Sequence, residues 1–207
     1  MGSVNISIIL SKALSGKDIR ESGSGNAGAT NMLRTYGKKI AVITLLVDVL
    51  KGCIGVWLGM WAAKIAGIYL VGDSYNKVAA VSPYLKLFGG LFAAIGHNFP
   101  VFFKFKGGKG VATSLGVLLG LNWIVGLTVF VLTIGIMAVS KYVSLGSVMS
   151  AFIYLGCDLV RMYMVNDFDI TYIVFDILLG GMLVYRHKEN IKRLMAGTEN
   201  KLGQKKK

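Results

Sequence analysis

Of 207 residues, 54% are hydrophobic and only 16% are charged, with a mean hydropathy of +0.62. A soluble domain carries about 25% charged residues, so this composition excludes an ordinary water-soluble enzyme and makes lipid the solvent. The net charge of +13 would suggest nucleic acid in a soluble chain, but here the basic residues fall between apolar runs, which excludes nucleic acid and points to anionic headgroups and phosphorylated substrates.

Met1-Gly2 opens like a myristoylation signal, but Ile6 stands where Ser or Thr is required, and no cleavable signal is expected. Residues 6–14 are apolar but too few to cross a bilayer alone. Residues 40–63 are long enough, although they carry Asp48 and Lys51, costly in lipid unless paired or in a wet cavity. Structural pairing and support of a site fit those two equally. Residues 84–99 are borderline. Residues 111–139 form one bent helix or two, with Asn122-Trp123 as an interface-like break. Residues 143–165 and 170–185 complete the set. Backbone groups in lipid must bond internally, so each run is expected to be a helix. The 27 glycines suit close helix packing, and Cys53 and Cys157 read as buried thiols without disulfide or metal.

If 111–139 crosses twice, turning near Asn122, seventeen of the 23 Lys and Arg residues face one side: those of 15–39, 100–110, 140–142 and the tail from Arg186. The opposite connections hold Lys64, Lys77 and Lys86, with Arg161 at a helix end. The positive-inside rule makes the richer side, and the C-terminus, cytoplasmic. The expected fold is an all-α integral membrane protein, a compact bundle of about seven transmembrane helices with the first one shortened and the active site on the cytoplasmic face. It forms a single domain over 1–207, of which 203–207 is a basic tail ending in Lys205–Lys207.

The polar, glycine-rich stretches all fall on that side. The first runs Gly23-Ser24-Gly25-Asn26-Ala27-Gly28-Ala29-Thr30-Asn31, with Arg34 beyond. It matches G-x-G-x-x-G, but no preceding strand supports a dinucleotide fold. Small residues let the backbone approach an anion, Ser24 and Thr30 add hydroxyls, and Arg34 adds a planar fork for phosphate. A flexible linker would not need two Asn, a Thr and an Arg so close together. The second stretch is Gly96-His97-Asn98-Phe99-Pro100 and then Phe105-Lys106-Gly107-Gly108-Lys109-Gly110-Val111-Ala112-Thr113, in which Gly107-Gly108-Lys109 leads into an apolar helix. A helix N-terminus beside a Lys is a phosphate site. It is not a Walker A loop, because Phe103 replaces its first Gly and Gly110 its Ser or Thr. His97 is read evenly as an interfacial histidine or a site residue. Ser144, near Lys141-Tyr142, is weak evidence alone, since Ser often only caps a helix. In the last stretch, Arg186 to Leu194, a continuing helix would put His187 and Asn190 on one face, while Glu189 pairs with a basic neighbour.

Together these motifs resemble, from Gly2 to about Leu202, the bacterial acyl-phosphate:glycerol-3-phosphate acyltransferase family. The family begins with a full first helix leading into a Gly-Ser-x-x-x-Ala/Ser turn; here Gly2–Ser7 resembles that turn, and most of the apolar run before it is missing. The resemblance implies a multi-pass bacterial inner-membrane enzyme with no metal and no cofactor. It would move an acyl group from acyl phosphate to the 1-hydroxyl of glycerol 3-phosphate, making lysophosphatidic acid for phospholipid synthesis. A functional link to the soluble enzyme that makes acyl phosphate goes with it. By resemblance, Ser24, Arg34, Lys109, His187 and Asn190 are the expected catalytic residues. Gly23, Gly25, Asn26, Thr30, Asn31, His97, Asn98, Gly107, Gly108 and Ser144 are expected to bind substrate. Glu189 is expected to support the structure.

Acyl-CoA transferases of a neighbouring class use H-x-x-x-x-D. Phe102 and Lys192 stand where that Asp would follow His97 and His187, which argues against acyl-CoA as donor. The rival reading is a transporter or channel for an organic phosphate, against which the polar residues cluster at one face rather than at midplane.

Overall fold

The structure, a computed structural model, describes residues 1–70 and 75–203, with side chains described except at 67–70 and 75–81. Lys205–Lys207 and the side chain of Lys77 lie outside the described residues. Every regular element among the described residues is helical. The chain forms two compact units, Met1–Leu121 and Asn122–Lys207.

In the first unit, α1 (Ile6–Ser15) starts where the Asn5 side chain accepts the Ile8 N–H at 3.3 Å and stops at left-handed Gly16. Asp18 caps a short 3-10 turn, Ile19–Glu21, and a glycine-rich loop leads to α2 (Ala29–Tyr36). Then come α3 (Lys38–Leu70), α4 (Tyr75–Asn98), a second 3-10 turn, Val101–Phe103, and α5 (Val111–Leu121). Glycines let α3 meet both neighbours. A Cβ on Gly55 would lie 2.7 Å from the Cβ of Ala93 on α4, and one on Gly59 would run into the Leu85 carbonyl. Gly52 and Gly116 do the same at the α3–α5 crossing, against Thr113 and Val49. Backbones this close gain dispersion that larger residues would block.

The second unit holds α6 (Trp123–Ser140), α7 (Val143–Val165), α8 (Ile170–Arg186) and α9 (Lys188–Met195). The break expected near Asn122 is present: its side chain accepts the N–H groups of Ile124 and Val125 and so opens α6. Asp169 caps α8 in the same way, through Thr171. Gly180 of α8 packs on Ala151 of α7.

Three described helices are long and apolar enough to cross a membrane: Lys38–Ala66, Trp123–Ser140 and Val143–Val165. Ile170–Arg186 with Lys188–Met195 is a fourth if that pair, bent by 60°, is one span. At 11 residues α5 is about 16 Å long, roughly half the hydrocarbon core; α1, with 10 residues, is shorter still. The all-α integral membrane architecture is as expected. Both thiols are free, and both are half-buried rather than fully buried.

Candidate active site

The first unit carries the two glycine-rich loops. Gly23 and Gly25 both have positive φ, 59° and 72°, so the loop takes turns that a side chain would oppose. Asn31, fully buried at the start of α2, braces it. Its Nδ2 donates to the carbonyls of Ile19 and Ser22, at 3.1 and 2.9 Å, and its Oδ1 accepts the Ser24 N–H at 2.8 Å. A Cβ on Gly23 would strike that Oδ1. Asn31 was expected to touch substrate, but its amide is occupied within the loop. Ser24 and Arg34 are exposed, and Asn26 and Thr30 are half-buried.

The second loop folds back onto the end of α4. Gly107 N–H donates to the Asn98 carbonyl and Gly108 N–H to the His97 carbonyl, both at 3.2 Å. These two peptides therefore do not offer their N–H groups to an anion, contrary to the simplest reading of the Gly-Gly-Lys sequence. A helix leaves its first N–H groups without intrahelical partners, and α5 opens directly after this loop, at Val111. Gly110 has φ +83° and packs against Asn98. The Asn98 side-chain amide and the Thr113 hydroxyl, both fully buried beside that turn, make no hydrogen bond among the described residues. A buried polar group without a partner costs about 1–3 kcal/mol, and a ligand oxygen would relieve it. Thr113 closes the second stretch but was not among the expected site residues, because a Thr inside an apolar helix carries no signal of its own.

Beneath the loop lies a buried charge group. Lys51 Nζ is 2.7 Å from Asp48 Oδ1 and 2.7 Å from His97 Nδ1, and it donates to the Val4 carbonyl at 3.2 Å. His97 Nδ1 is 3.4 Å from the same Asp48 oxygen. An ammonium only donates, so Nδ1 accepts from it and a neutral ring carries its hydrogen on Nε2. That Nε2 faces Gly108, where a Cβ would collide with it and lie 2.6 Å from the Ala27 carbonyl. His97 is thus a buried support between α3 and the second loop, and the first loop lies against that second loop at Ala27. Asn5, unmarked in the sequence, adds a second tie through its Nδ2 to the Ala27 carbonyl at 3.4 Å.

Gly108→Ala is accordingly expected to destabilise the protein by about 1–3 kcal/mol through overpacking alone. Thermal unfolding in detergent measures this. An unchanged midpoint would mean that the loop yields and that Gly108 is small for another reason.

The second unit carries the third motif, and here the helix does not run on. It turns at His187, which ends α8 and opens α9. His187 N–H bonds the Val184 carbonyl, and its ring Nδ1 lies 2.8 Å from the Leu183 carbonyl. The imidazole thus caps a carbonyl that a continuing helix would pair with a backbone N–H. Asn190 is buried and donates to Glu199 Oε1 at 2.8 Å, while Arg193 Nε donates to Oε2 at 2.7 Å. Burial opposes the charge on Glu199, yet these two hydrogen bonds hold its carboxyl below the usual glutamate range. The Ser144 hydroxyl also favours the charged form, although its Oγ makes no hydrogen bond of ordinary geometry. The segment after α9 returns to the α6–α7 turn: Leu202 N–H donates to the Lys141 carbonyl at 2.7 Å, and Lys201 lies over the Tyr142 ring. Glu199 therefore joins Asn190 to the turn carrying Ser144, and nothing in the sequence singled it out. Glu189 pairs with Lys192 at 3.4 Å on the surface, as expected.

The chain is similar to known proteins over nearly its whole length. A family model described as glycerol-3-phosphate acyltransferase matches residues 1–197. A curated glycerol-3-phosphate acyltransferase of Clostridioides difficile is 41% identical over 206 residues, covering 100% of this chain and 92% of the relative. One from Halalkalibacterium halodurans is 41% identical over 207 residues, with the same coverage. Crystal structures of PlsY (YgiH), an integral membrane glycerol 3-phosphate acyltransferase, are similar throughout. Its glycerol 3-phosphate form gives 36% identity and a TM-score of 0.77, covering 98% of this chain and 90% of that one. Its lysophosphatidic acid form gives 34% and 0.74 at the same coverage.

Proposed function

Since the chain belongs to the glycerol-3-phosphate acyltransferase family, we propose that it transfers an acyl group from acyl phosphate to the 1-hydroxyl of sn-glycerol 3-phosphate. The products are 1-acyl-glycerol 3-phosphate and inorganic phosphate, the entry into bacterial phospholipid synthesis. The full-length match to relatives named glycerol-3-phosphate acyltransferase supports acyl transfer to glycerol 3-phosphate. It favours an acyltransferase over a transporter for an organic phosphate.

Acyl phosphate is a mixed anhydride, so its acyl carbon is already activated and needs no covalent enzyme intermediate. The glycerol oxygen attacks that carbon, the carbon–oxygen bond to phosphate breaks, and phosphate leaves with the bonding pair. Arg34 and Lys109 neutralise the phosphates, whose mutual repulsion would otherwise hold the substrates apart. Ser24 and Thr30 offer hydroxyls. The buried Asn98 amide and the first turn of α5 suit an oxygen of the acceptor. His187 takes the hydroxyl proton. A carbonyl can only accept a hydrogen bond, so Nδ1, facing the Leu183 carbonyl, carries the ring hydrogen, and neutral His187 keeps its basic lone pair on Nε2. Asn190, held by Glu199, orients substrate beside it.

The His–Asp device that acyl-CoA transferases of the neighbouring class use is not built at His97, which favours acyl phosphate as donor. The chain does bring an aspartate to a histidine, Asp48 to His97, but Lys51 occupies the ring nitrogen between them. That histidine is not a base set up by a carboxylate. The protein acts in the inner membrane with its C-terminus and glycine-rich loops cytoplasmic, a placement the positive-inside rule supports.

Purified protein given glycerol 3-phosphate and palmitoyl phosphate is expected to form lysophosphatidic acid, and with palmitoyl-CoA in its place to form none. Comparable turnover with both donors would overturn the donor assignment. No product from either would overturn the reaction.

A further inference from the structure

Asp18 and Arg20 have no part in the chemistry above, and the geometry points to one: the pair is a clamp that sets the backbone of the second glycine-rich loop, making Arg20 a positioning residue for the acceptor. Three bonds fix the arginine on its own segment. Asp18 Oδ1 accepts from the Arg20 backbone N–H at 3.0 Å and from Nε at 2.9 Å, and Oδ2 accepts from Nη2 at 2.7 Å. The remaining nitrogen, Nη1, crosses to the other loop and donates to the carbonyls of Phe103 and Lys106, both at 2.9 Å.

Those two carbonyls bracket Lys104 and Phe105, which both have left-handed backbones, with φ 57°. Non-glycine residues take that conformation at a cost and keep it only where neighbours hold them. Within the loop, the hold comes from Phe105 N–H to Pro100 and Lys106 N–H to Phe103, at 3.0 and 3.3 Å. Arg20 supplies it from outside. The next residue, Gly107, begins the return onto α4 and leads to Lys109, so an error at 104–105 is carried straight into the loop. The hydrogen bond from Arg20, outweighing burial, keeps the Asp18 carboxyl below its ordinary range, and Asp18 raises Arg20 in turn. Both ends of the clamp therefore stay charged at neutral pH. Only a guanidinium can give two donors to one carboxylate and aim a third nitrogen at two carbonyls. Lysine cannot replace it. Because Asp18 and Arg20 directly precede the first loop, the clamp also couples the two loops of this unit.

This role rests on the reading of the second loop as the acceptor-binding loop, and the test separates the two. Arg20→Lys, Arg20→Ala and Asp18→Asn are made in the full chain. Backbone hydrogen exchange of residues 101–110 and steady-state kinetics with saturating palmitoyl phosphate are measured on each. Exchange at 105–107 is expected to speed up in both Arg20 variants, with lysine no better than alanine. Their KM for glycerol 3-phosphate is expected to rise by about ten- to a hundredfold, with kcat falling less. Asp18→Asn, which keeps the fold most gently, should show the same pattern more weakly. Native exchange in Arg20→Lys, or faster exchange with an unchanged KM, would overturn the clamp. Faster exchange in variants of a wild-type protein that forms no lysophosphatidic acid would uphold the clamp and sink the acyl-transfer reading instead.

Discussion

His187→Ala is expected to lower kcat for acyl transfer by about a hundred- to ten-thousandfold, with the KM for glycerol 3-phosphate changing only a few-fold. The expectation starts from the turn at residue 187. At the bend between α8 and α9 the His187 N–H bonds the Val184 carbonyl rather than that of Leu183, and the ring reaches the Leu183 carbonyl through Nδ1. This bond fixes both tautomer and ring direction, as a carbonyl behind a catalytic imidazole commonly does. A base matters mainly in the transition state, when the hydroxyl proton is moving, so its loss falls on kcat. His187→Gln separates the base from the brace. Glutamine can still donate to the Leu183 carbonyl but cannot take a proton at neutral pH. It should restore thermal stability lost in the alanine variant without restoring kcat. Near-normal kcat in either variant would hand the proton to a phosphate oxygen of the substrate.

The sequence made some of these features legible and hid others. The break at Asn122 was visible because a capping residue interrupts an apolar run, a purely local signal. The residues of the first loop were visible too, since two Asn, a Thr and an Arg among glycines have no reason to sit in a linker. Their division of labour was not. Asn31 looked like a ligand residue, and its amide spends both N–H donors and one acceptor position on the neighbouring backbone. Spacing cannot tell a side chain facing substrate from one facing the chain. The turn at His187 was hidden because spacing assumes a continuing helix, and only the bond between a ring and a carbonyl breaks it. Glu199 and the Asp18–Arg20 pair belong to no motif in the sequence. They acquire meaning from partners far along the chain, such as Phe103 and Lys106 for Arg20. Asp158 and Asp176, buried in α7 and α8, passed unnoticed inside apolar runs, although a carboxyl at such a depth is costly. Arg161 offsets one of them by pairing with Asp158.

The Asp48–Lys51 pair gives the other large effect, and it resolves whether those two charges are structure or site. Their side chains are 2% and 4% exposed, so removing one leaves the other charged in a medium that cannot solvate it. Lys51→Met alone is expected to cost about 3–5 kcal/mol, seen as a marked fall in the unfolding midpoint. Replacing both, as Asp48→Leu with Lys51→Met, removes the desolvation cost along with the attraction, and buried pairs exchanged for apolar residues of similar volume often lose little stability. The double variant should therefore regain most of the lost midpoint. Activity should behave differently. Without Lys51, Nδ1 of His97 loses the donor that fixes its tautomer, and the ring no longer holds Nε2 toward Gly108 beneath the second loop. The double variant is then stable, but its KM for glycerol 3-phosphate stays raised, by about tenfold if the loop shifts by a few tenths of an ångström. Native kinetics in the stable double variant would make the pair structural alone, and an unchanged midpoint in Lys51→Met would mean that the charges are solvated in the folded protein. A midpoint that recovers while KM does not would make these membrane-helix charges part of how the second loop holds its shape.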